Sequence, residues 1–115
     1  MNAQAHALFD HIAANGGATV SRASGSVVGF DGGYQVALEG AEVVLPAFTP
    51  TALANYMQST TAQPHAPFFG FWMHDGRLYA DVSVHVADRA EALAIGRHEG
   101  QIAVWDWGSF TSVEC

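Results

Sequence analysis

The feature that most constrains this chain is the dipeptide Asp75-Gly76, which lies between two apolar and aromatic runs, Phe68–His74 and Arg77–Val86. Asp-Gly favours a type I′ turn with a two-residue loop, the tightest connection between antiparallel strands. Such a loop fixes the pairing, so that His74 faces Arg77 and Phe69 faces Val82. The sequence therefore predicts a β-hairpin over residues 68–86, around which a sheet is built.

The predicted register divides the hairpin into two unlike faces. One face is apolar and should be buried; it consists of Phe69, Phe71, Met73, Leu78, Ala80, Val82, Val84 and Val86. The other face carries Trp72, His74, Arg77, Tyr79, Asp81, Ser83 and His85. Because a slip by one residue would exchange the two sets, the register is strongly specified.

Three helices are predicted outside the hairpin. Apolar residues at helical spacing indicate a helix over residues 4–15, with Asn2 as its N-cap. Thr49-Pro50 is typical of a helix start, because a hydroxyl caps the helix and proline suits its first position. Asp88 and Glu91 form a variant capping box at the start of the third helix, which should end at Gly100.

Further strands are predicted over residues 18–21, 27–30, 34–39, 101–107 and 110–113. Residues 42–45 are expected to return across Gly40 as a partner of 34–39, with Val36, Val43 and Leu45 on one buried face. This order of elements predicts a single α+β domain over residues 1–115, with a mainly antiparallel sheet and helices on one face.

Three stretches within about residues 33–106 carry a family resemblance: Gly33-Tyr34-Gln35-Val36-Ala37-Leu38 followed by the helix that starts at Pro50; Gly70-Phe71-Trp72 with Asp75-Gly76 and Leu78-Tyr79-Ala80-Asp81-Val82-Ser83; and Glu91-Ala92-Leu93, Gly96-Arg97, Gln101 and Ala103-Val104-Trp105-Asp106. In these stretches the chain resembles a group of small proteins found in phages and mobile elements of actinobacteria-type genomes. The group has no assigned reaction, so the resemblance implies no functional residue. It implies an accessory gene of a mobile element, acting in a bacterial cytoplasm.

Charge and composition exclude several classes of function. Eleven acids and four basic residues give a formal charge of −7, which argues against nucleic-acid binding through phosphates. Residues 43–74 contain no charged side chain, but four prolines and several polar residues interrupt them, so no membrane segment is predicted. One cysteine excludes an internal disulfide and a zinc site built from several cysteines.

Catalytic and metal-binding constellations are also not expected. The six histidines do not fall at the spacings of metal ligands on one helix or strand, so neither a metal nor another cofactor is predicted. Asp81, Ser83 and His85 superficially resemble an acid, a nucleophile and a base. Alternate residues on a strand lie about 6.6 Å apart, beyond hydrogen-bond reach for short side chains. The sequence therefore leans away from an enzyme.

The polar face of the hairpin is the leading candidate for a binding surface. Trp72 and Tyr79 lie opposite each other, within a rim formed by His74, Arg77, Asp81, Ser83 and His85, as aromatic residues do at binding hot spots. Alternatively, a helix or the N-terminal strands cover this face and make both rings part of the core, and the two interpretations carry equal weight. Trp105 and Trp107 form a second aromatic pair, for which packing beneath the N-terminal helix is slightly favoured.

Two functions follow as hypotheses. The first is a non-enzymatic interaction protein that engages a host protein or a second copy of itself as a homodimer. The second is a binder of a small molecule or nucleotide derivative, or a minor enzyme, that stacks its ligand on Trp72 and Tyr79 and grips an anion with Arg77 and His85. A flat exposed patch would favour the first function, and a concave pocket would favour the second.

Overall fold

The computed structural model describes residues 3–115. Its helices are α1 (Ala3–Asn15), α2 (Pro50–Ser59) and α3 (Arg89–His98). Its strands are β1 (Gly17–Ser21), β2 (Val27–Val28), β3 (Tyr34–Val44), β4 (Phe68–His74), β5 (Arg77–Val86), β6 (Ala103–Asp106) and β7 (Thr111–Glu114). Asn2, the predicted cap of the first helix, lies outside the described residues.

The strands form one antiparallel sheet in the order β2-β1-β4-β5-β3-β6-β7. Strands β4 and β5 lie at the centre; β1 and β2 extend the sheet beyond β4, and β3, β6 and β7 extend it beyond β5. Three helices and an antiparallel sheet in one small domain confirm the predicted α+β class. None of the helices within residues 3–115 combines the length and the apolar character needed to cross a membrane.

The central hairpin has the predicted register. His74 pairs with Arg77, Trp72 with Tyr79 and Phe69 with Val82. Its turn residues adopt positive φ angles, +51° at Asp75 and +75° at Gly76, as a type I′ turn requires at both positions. The alternation of the hairpin faces is therefore confirmed.

The prediction for residues 34–45 is wrong in one respect. Residues 42–44 do not turn back on 34–39 but continue the same strand, so Tyr34–Leu38 and Val43–Val44 both pair with β5. Gly40, with φ at +107°, lies in the irregular stretch between the two paired segments, where it admits a bulge instead of a reversal. The bulge also changes the burial: Val36 is buried, whereas 45% of Val43 is exposed.

All three helices pack on the apolar face of the sheet. Leu8 and Ile12 of α1 and Leu53 and Tyr56 of α2 join Phe71 in the main core cluster. Ala92 of α3 packs in a smaller cluster with Val36 and Val104. The starts of two helices agree with the capping predictions: Thr49 Oγ1 accepts the Ala52 N–H at 3.1 Å, and Asp88 Oδ2 accepts the Glu91 N–H at 2.8 Å.

Candidate functional site

The opposite face of the sheet carries the predicted site and is concave. Strands β1 and β3 are separated by β4 and β5, which in a flat sheet would place them about 14 Å apart. Yet Thr19 of β1 donates a hydrogen bond directly to Gln35 of β3, with 2.7 Å between Oγ1 and Oε1. Side chains of these lengths meet only if the sheet curls toward this face.

Three residues, Thr19, Gln35 and Ser83, form what we call the polar floor of the concave face. Gln35 connects them, because its Nε2 donates to Ser83 Oγ at 2.8 Å and its Oε1 accepts from Thr19. Its Oε1 also accepts the indole N–H of Trp107 at 3.2 Å. Ser83 is fully buried, so its hydroxyl belongs to this network and is not presented to solvent as a nucleophile.

At the turn end of the face, Trp72, His74, Arg77 and Tyr79 form the hairpin cluster. The rings of Trp72 and Tyr79 stack with their centroids 4.3 Å apart and their planes 10° from parallel. His74 lies beside them, 6.0 Å from the Trp72 ring. Trp72 remains 44% exposed, and Arg77 and His74 are exposed as well. The hairpin cluster is therefore an open surface and not part of the core.

At the other end, Phe30, His85, Trp105, Trp107 and Phe110 form the tryptophan cluster. Phe30 stacks on His85 at 3.9 Å and contacts Trp107 edge-on at 5.5 Å. Phe110 contacts both tryptophans and is 65% exposed. The expectation that Trp105 and Trp107 pack beneath α1 is wrong. Trp105 pairs with Gln35 in the ladder and so faces the concave side, while Val104 takes the helix side.

Asp81 lies between the two clusters in an unusual setting. The residue is partly exposed, but its Oδ1 is sealed from solvent and has no hydrogen-bond partner within residues 3–115. Burial, reinforced by the negative charge of Glu42, raises the pKa of Asp81 to about 7, although the Trp72 indole and the Gly70 main chain favour the ionised form by hydrogen bonding. Asp81 therefore changes charge near neutral pH.

The arrangement proposed for gripping an anion does not form. Arg77 and His85 are at opposite ends of β5, eight residues or about 26 Å apart. His85 Nε2 donates to the Gly32 carbonyl oxygen at 2.7 Å and its ring is covered by Phe30. The two residues cannot hold one anion, which removes the geometry expected for the alternative function.

Several residues of the face were missed by reasoning from the sequence. Strand alternation puts Gln35 on the side of β3 opposite Val36, but nothing in the sequence indicates which strands it joins. Phe30 falls within the strand predicted over residues 27–30, but it belongs to the loop over His85. Gly70 faces Asp81 across the hairpin, and the predicted register could have identified it as the point where the carboxyl is accommodated.

A separate cleft of about 270 Å³ lies away from the concave face. It is bounded by Gln4 of α1, the turn at residues 21–25, Met57 and neighbouring residues of α2, and Phe69. Arg22 at its edge is occupied structurally, since its guanidinium donates to the carbonyl oxygens of Thr60, Ala62, Gln63 and Ala66. Within the described part of the chain, no three metal-ligating side chains converge.

Comparisons of the chain with protein-family models, with curated proteins and with solved structures found no match. The geometry of the concave face is therefore the basis for inferring a function.

Proposed function

We propose that this is a non-enzymatic binding protein that recognises a polypeptide partner through the concave face, with the hairpin cluster as its anchor. The observation that carries the proposal is the Trp72–Tyr79 stack, whose tryptophan is 44% exposed on a face without a covering helix in residues 3–115. Tryptophan and tyrosine are enriched among the residues that supply most of the binding energy at protein interfaces.

The filled interior of the face favours a polypeptide partner over a small molecule. Thr19 and Ser83 are buried, and Gln35 spans the space between them, so the floor is occupied by side chains. What remains accessible is a band of partly exposed rings at both ends, including Trp72, Trp105 and Phe110. Aromatic rings around a polar centre are suited to contact with an extended surface.

The resemblance to proteins of phages and mobile elements supplies the context of the proposal. We infer an accessory factor that acts in the bacterial cytoplasm on a host protein. A second copy of the chain is the other polypeptide that could occupy the face, because a low content of charged residues and exposed rings suit an isologous contact.

The proposal is tested by capture of proteins from an actinobacterial lysate on the immobilised full chain, followed by quantitative mass spectrometry. The matched variants are Trp72→Ser in the hairpin cluster and Ile102→Ser, which removes an 86% exposed apolar side chain outside it. Truncating a hot-spot residue costs about 2 kcal/mol or more, so Trp72→Ser should weaken the affinity for the partner by roughly thirtyfold and reduce its recovery from the lysate.

Thermal melts of both variants are recorded first, so that loss of capture is not confused with loss of the fold. Equal recovery by all three proteins would move the interface away from the hairpin cluster. Sedimentation over a range of concentrations identifies the case in which the partner is a second copy. A small molecule carried through native mass spectrometry by wild type but not by Trp72→Ser, with no protein enriched, would replace this proposal by the alternative function.

A further inference from the structure

Uncompensated negative charge lies behind the hairpin cluster. Asp81 Oδ1 is sealed from solvent without a hydrogen-bond partner, and Glu42 is close enough to raise the pKa of Asp81. Glu42 accepts a hydrogen bond from the Gln101 amide, and neither carboxylate forms a salt bridge within residues 3–115. Arg77, the basic residue of the same face, lies four positions along β5 from Asp81. The overall charge of −7 adds a field that attracts cations.

The Trp72 ring is the exposed surface in front of this charge. Its inner face is stacked on Tyr79, and the ring lies close enough to Asp81 to influence the pKa of that carboxyl group. A carboxylate beside an aromatic ring adds its own attraction to that between the ring face and a cation. The site therefore combines a flat aromatic platform with a carboxyl group that lacks a full set of partners.

We propose that the hairpin cluster binds the guanidinium group of an arginine side chain presented by the partner polypeptide, stacked on Trp72 and attracted by Asp81 and Glu42. This inference rests on the proposed function and specifies the chemistry of the partner. Arginine fits better than lysine because its planar guanidinium stacks on aromatic faces and is more weakly hydrated, whereas an ammonium is a compact, strongly hydrated charge.

The test is a titration of the ¹⁵N-labelled full chain with N-acetyl-arginine amide, followed by NMR through the indole N–H signals of the three tryptophans. The matched ligand is N-acetyl-citrulline amide, which has nearly the same shape and no charge. At about pH 8, above the pKa of about 7 for Asp81, we expect a saturable shift of the Trp72 signal with the arginine ligand and none with citrulline.

Variants separate the two parts of the site. Followed through the backbone amide signals of β4 and β5, since Trp72→Ser has no indole at this position, Trp72→Ser and Asp81→Asn should each weaken binding of the arginine ligand by roughly tenfold, while Ile102→Ser should leave it unchanged. Equal shifts with arginine and citrulline, or saturable shifts confined to Trp105 and Trp107, would overturn the inference. So would the absence of any saturable shift in wild type, a result that does not depend on whether a variant folds.

Failure of the arginine inference can be distinguished from failure of the proposed polypeptide-binding function. If Trp72→Ser abolishes capture of a protein partner but the arginine ligand does not bind, the interaction surface stands and the arginine inference falls. If the arginine ligand binds Trp72 but no polypeptide depends on that residue for capture, the polypeptide-binding function falls.

Discussion

A buried carboxyl group without hydrogen-bond donors destabilises a fold when it ionises. Asp81 is such a group, because its Oδ1 is buried without a partner in residues 3–115. Gly70 faces it across the hairpin, and a Cβ atom at Gly70 would come within 2.5 Å of Asp81 Oδ1. Glycine is therefore needed at this point for close approach and not for an unusual backbone angle. The space that Gly70 leaves admits the carboxyl but gives Oδ1 no donor.

The pKa of Asp81 leads to a prediction about pH and stability. Its folded-state value of about 7 is above the ordinary 3.8, so between these values the native state holds a proton that the unfolded state has lost. The contribution of Asp81 to stability is therefore greatest at acidic pH and is lost as the pH rises to about 7. Asp81→Asn should stabilise the protein at about pH 8, by at most about 4 kcal/mol, and should have little effect at about pH 4.5.

Urea unfolding at the two pH values measures this difference. Asp10→Asn is the matched control, because Asp10 is exposed on α1 and its substitution should have the same small effect at both pH values. A stabilisation by Asp81→Asn that is equal at both pH values would contradict the predicted ionisation of Asp81.

Residues of the hairpin were the part of the site best predicted from the sequence. The turn fixes the register, the register fixes the faces, and Trp72, Tyr79 and Asp81 follow from that alternation. The alternation of side chains along a strand does not predict how deeply each residue of a face is buried. Ser83 and Trp72 share one face, yet Ser83 is fully buried and Trp72 is 44% exposed, because the Gln35 side chain reaches over to Ser83 and bonds to its hydroxyl.

At the scale of elements, β4 contributes two buried phenylalanine rings to the main core. Phe71 is 2% exposed and lies edge-on to Tyr56 of α2, with 5.7 Å between ring centroids. Phe71→Ala should destabilise the protein by about 3–5 kcal/mol, since it removes a core ring and leaves a cavity beneath α2. Chemical denaturation measures the change.

The control for this element is Ile102→Ala, which removes most of an aliphatic side chain at a position that is 86% exposed. Its effect should stay within about 0.5 kcal/mol. Similar losses for Phe71→Ala and Ile102→Ala would mean that the β4 ring does not carry the packing between the sheet and α2.

The long strand β3 shows where prediction by element fails. Gly40 marks an interruption, and the sequence pattern was interpreted as a reversal of the chain. A bulge and a turn both use a glycine with positive φ, so the local sequence does not separate them. The choice depends on β5, which is long enough, at ten residues, to pair with β3 on both sides of the interruption. Strand β3 in turn pairs with β6, and this pairing determines the face on which Trp105 lies.

At the scale of the whole molecule, the polar floor connects parts of the sheet that the backbone keeps apart. Gln35 bonds to Thr19 of β1, Ser83 of β5 and the indole of Trp107 beyond β6. Gln35→Ala should destabilise the protein by about 2–4 kcal/mol, because three hydrogen bonds are lost and the buried hydroxyls of Thr19 and Ser83 lose their partner. It should also shift the Trp107 indole N–H signal in NMR spectra.

Gln58→Ala, at an exposed position on α2, provides the comparison and should be nearly neutral. An unchanged unfolding midpoint for Gln35→Ala would show that backbone pairing alone maintains the curl of the sheet.

The strand order was the global property that the sequence did not predict. Class, helix number and hairpin are local consequences of turn chemistry and periodicity. The placement of β1 beside β4, and of β3 beside β5, joins segments about fifty residues apart, and many strand orders satisfy the same alternation. The sequence identifies both aromatic pairs, Trp72 with Tyr79 and Trp105 with Trp107, but the sheet order alone brings them to the same face.

Because of the strand order, the strands of the sheet cannot pair in the order in which they are translated. During synthesis β1 and β3 emerge long before β4 and β5, yet each has its main pairing with one of these later strands. At roughly 5–20 residues per second, the N-terminal third waits several seconds on the ribosome with strand edges unpaired. The 68–86 hairpin then forms within microseconds and provides the template for both. The pairings that place β1 and β3 in one sheet thus become possible only after the hairpin between them has been translated.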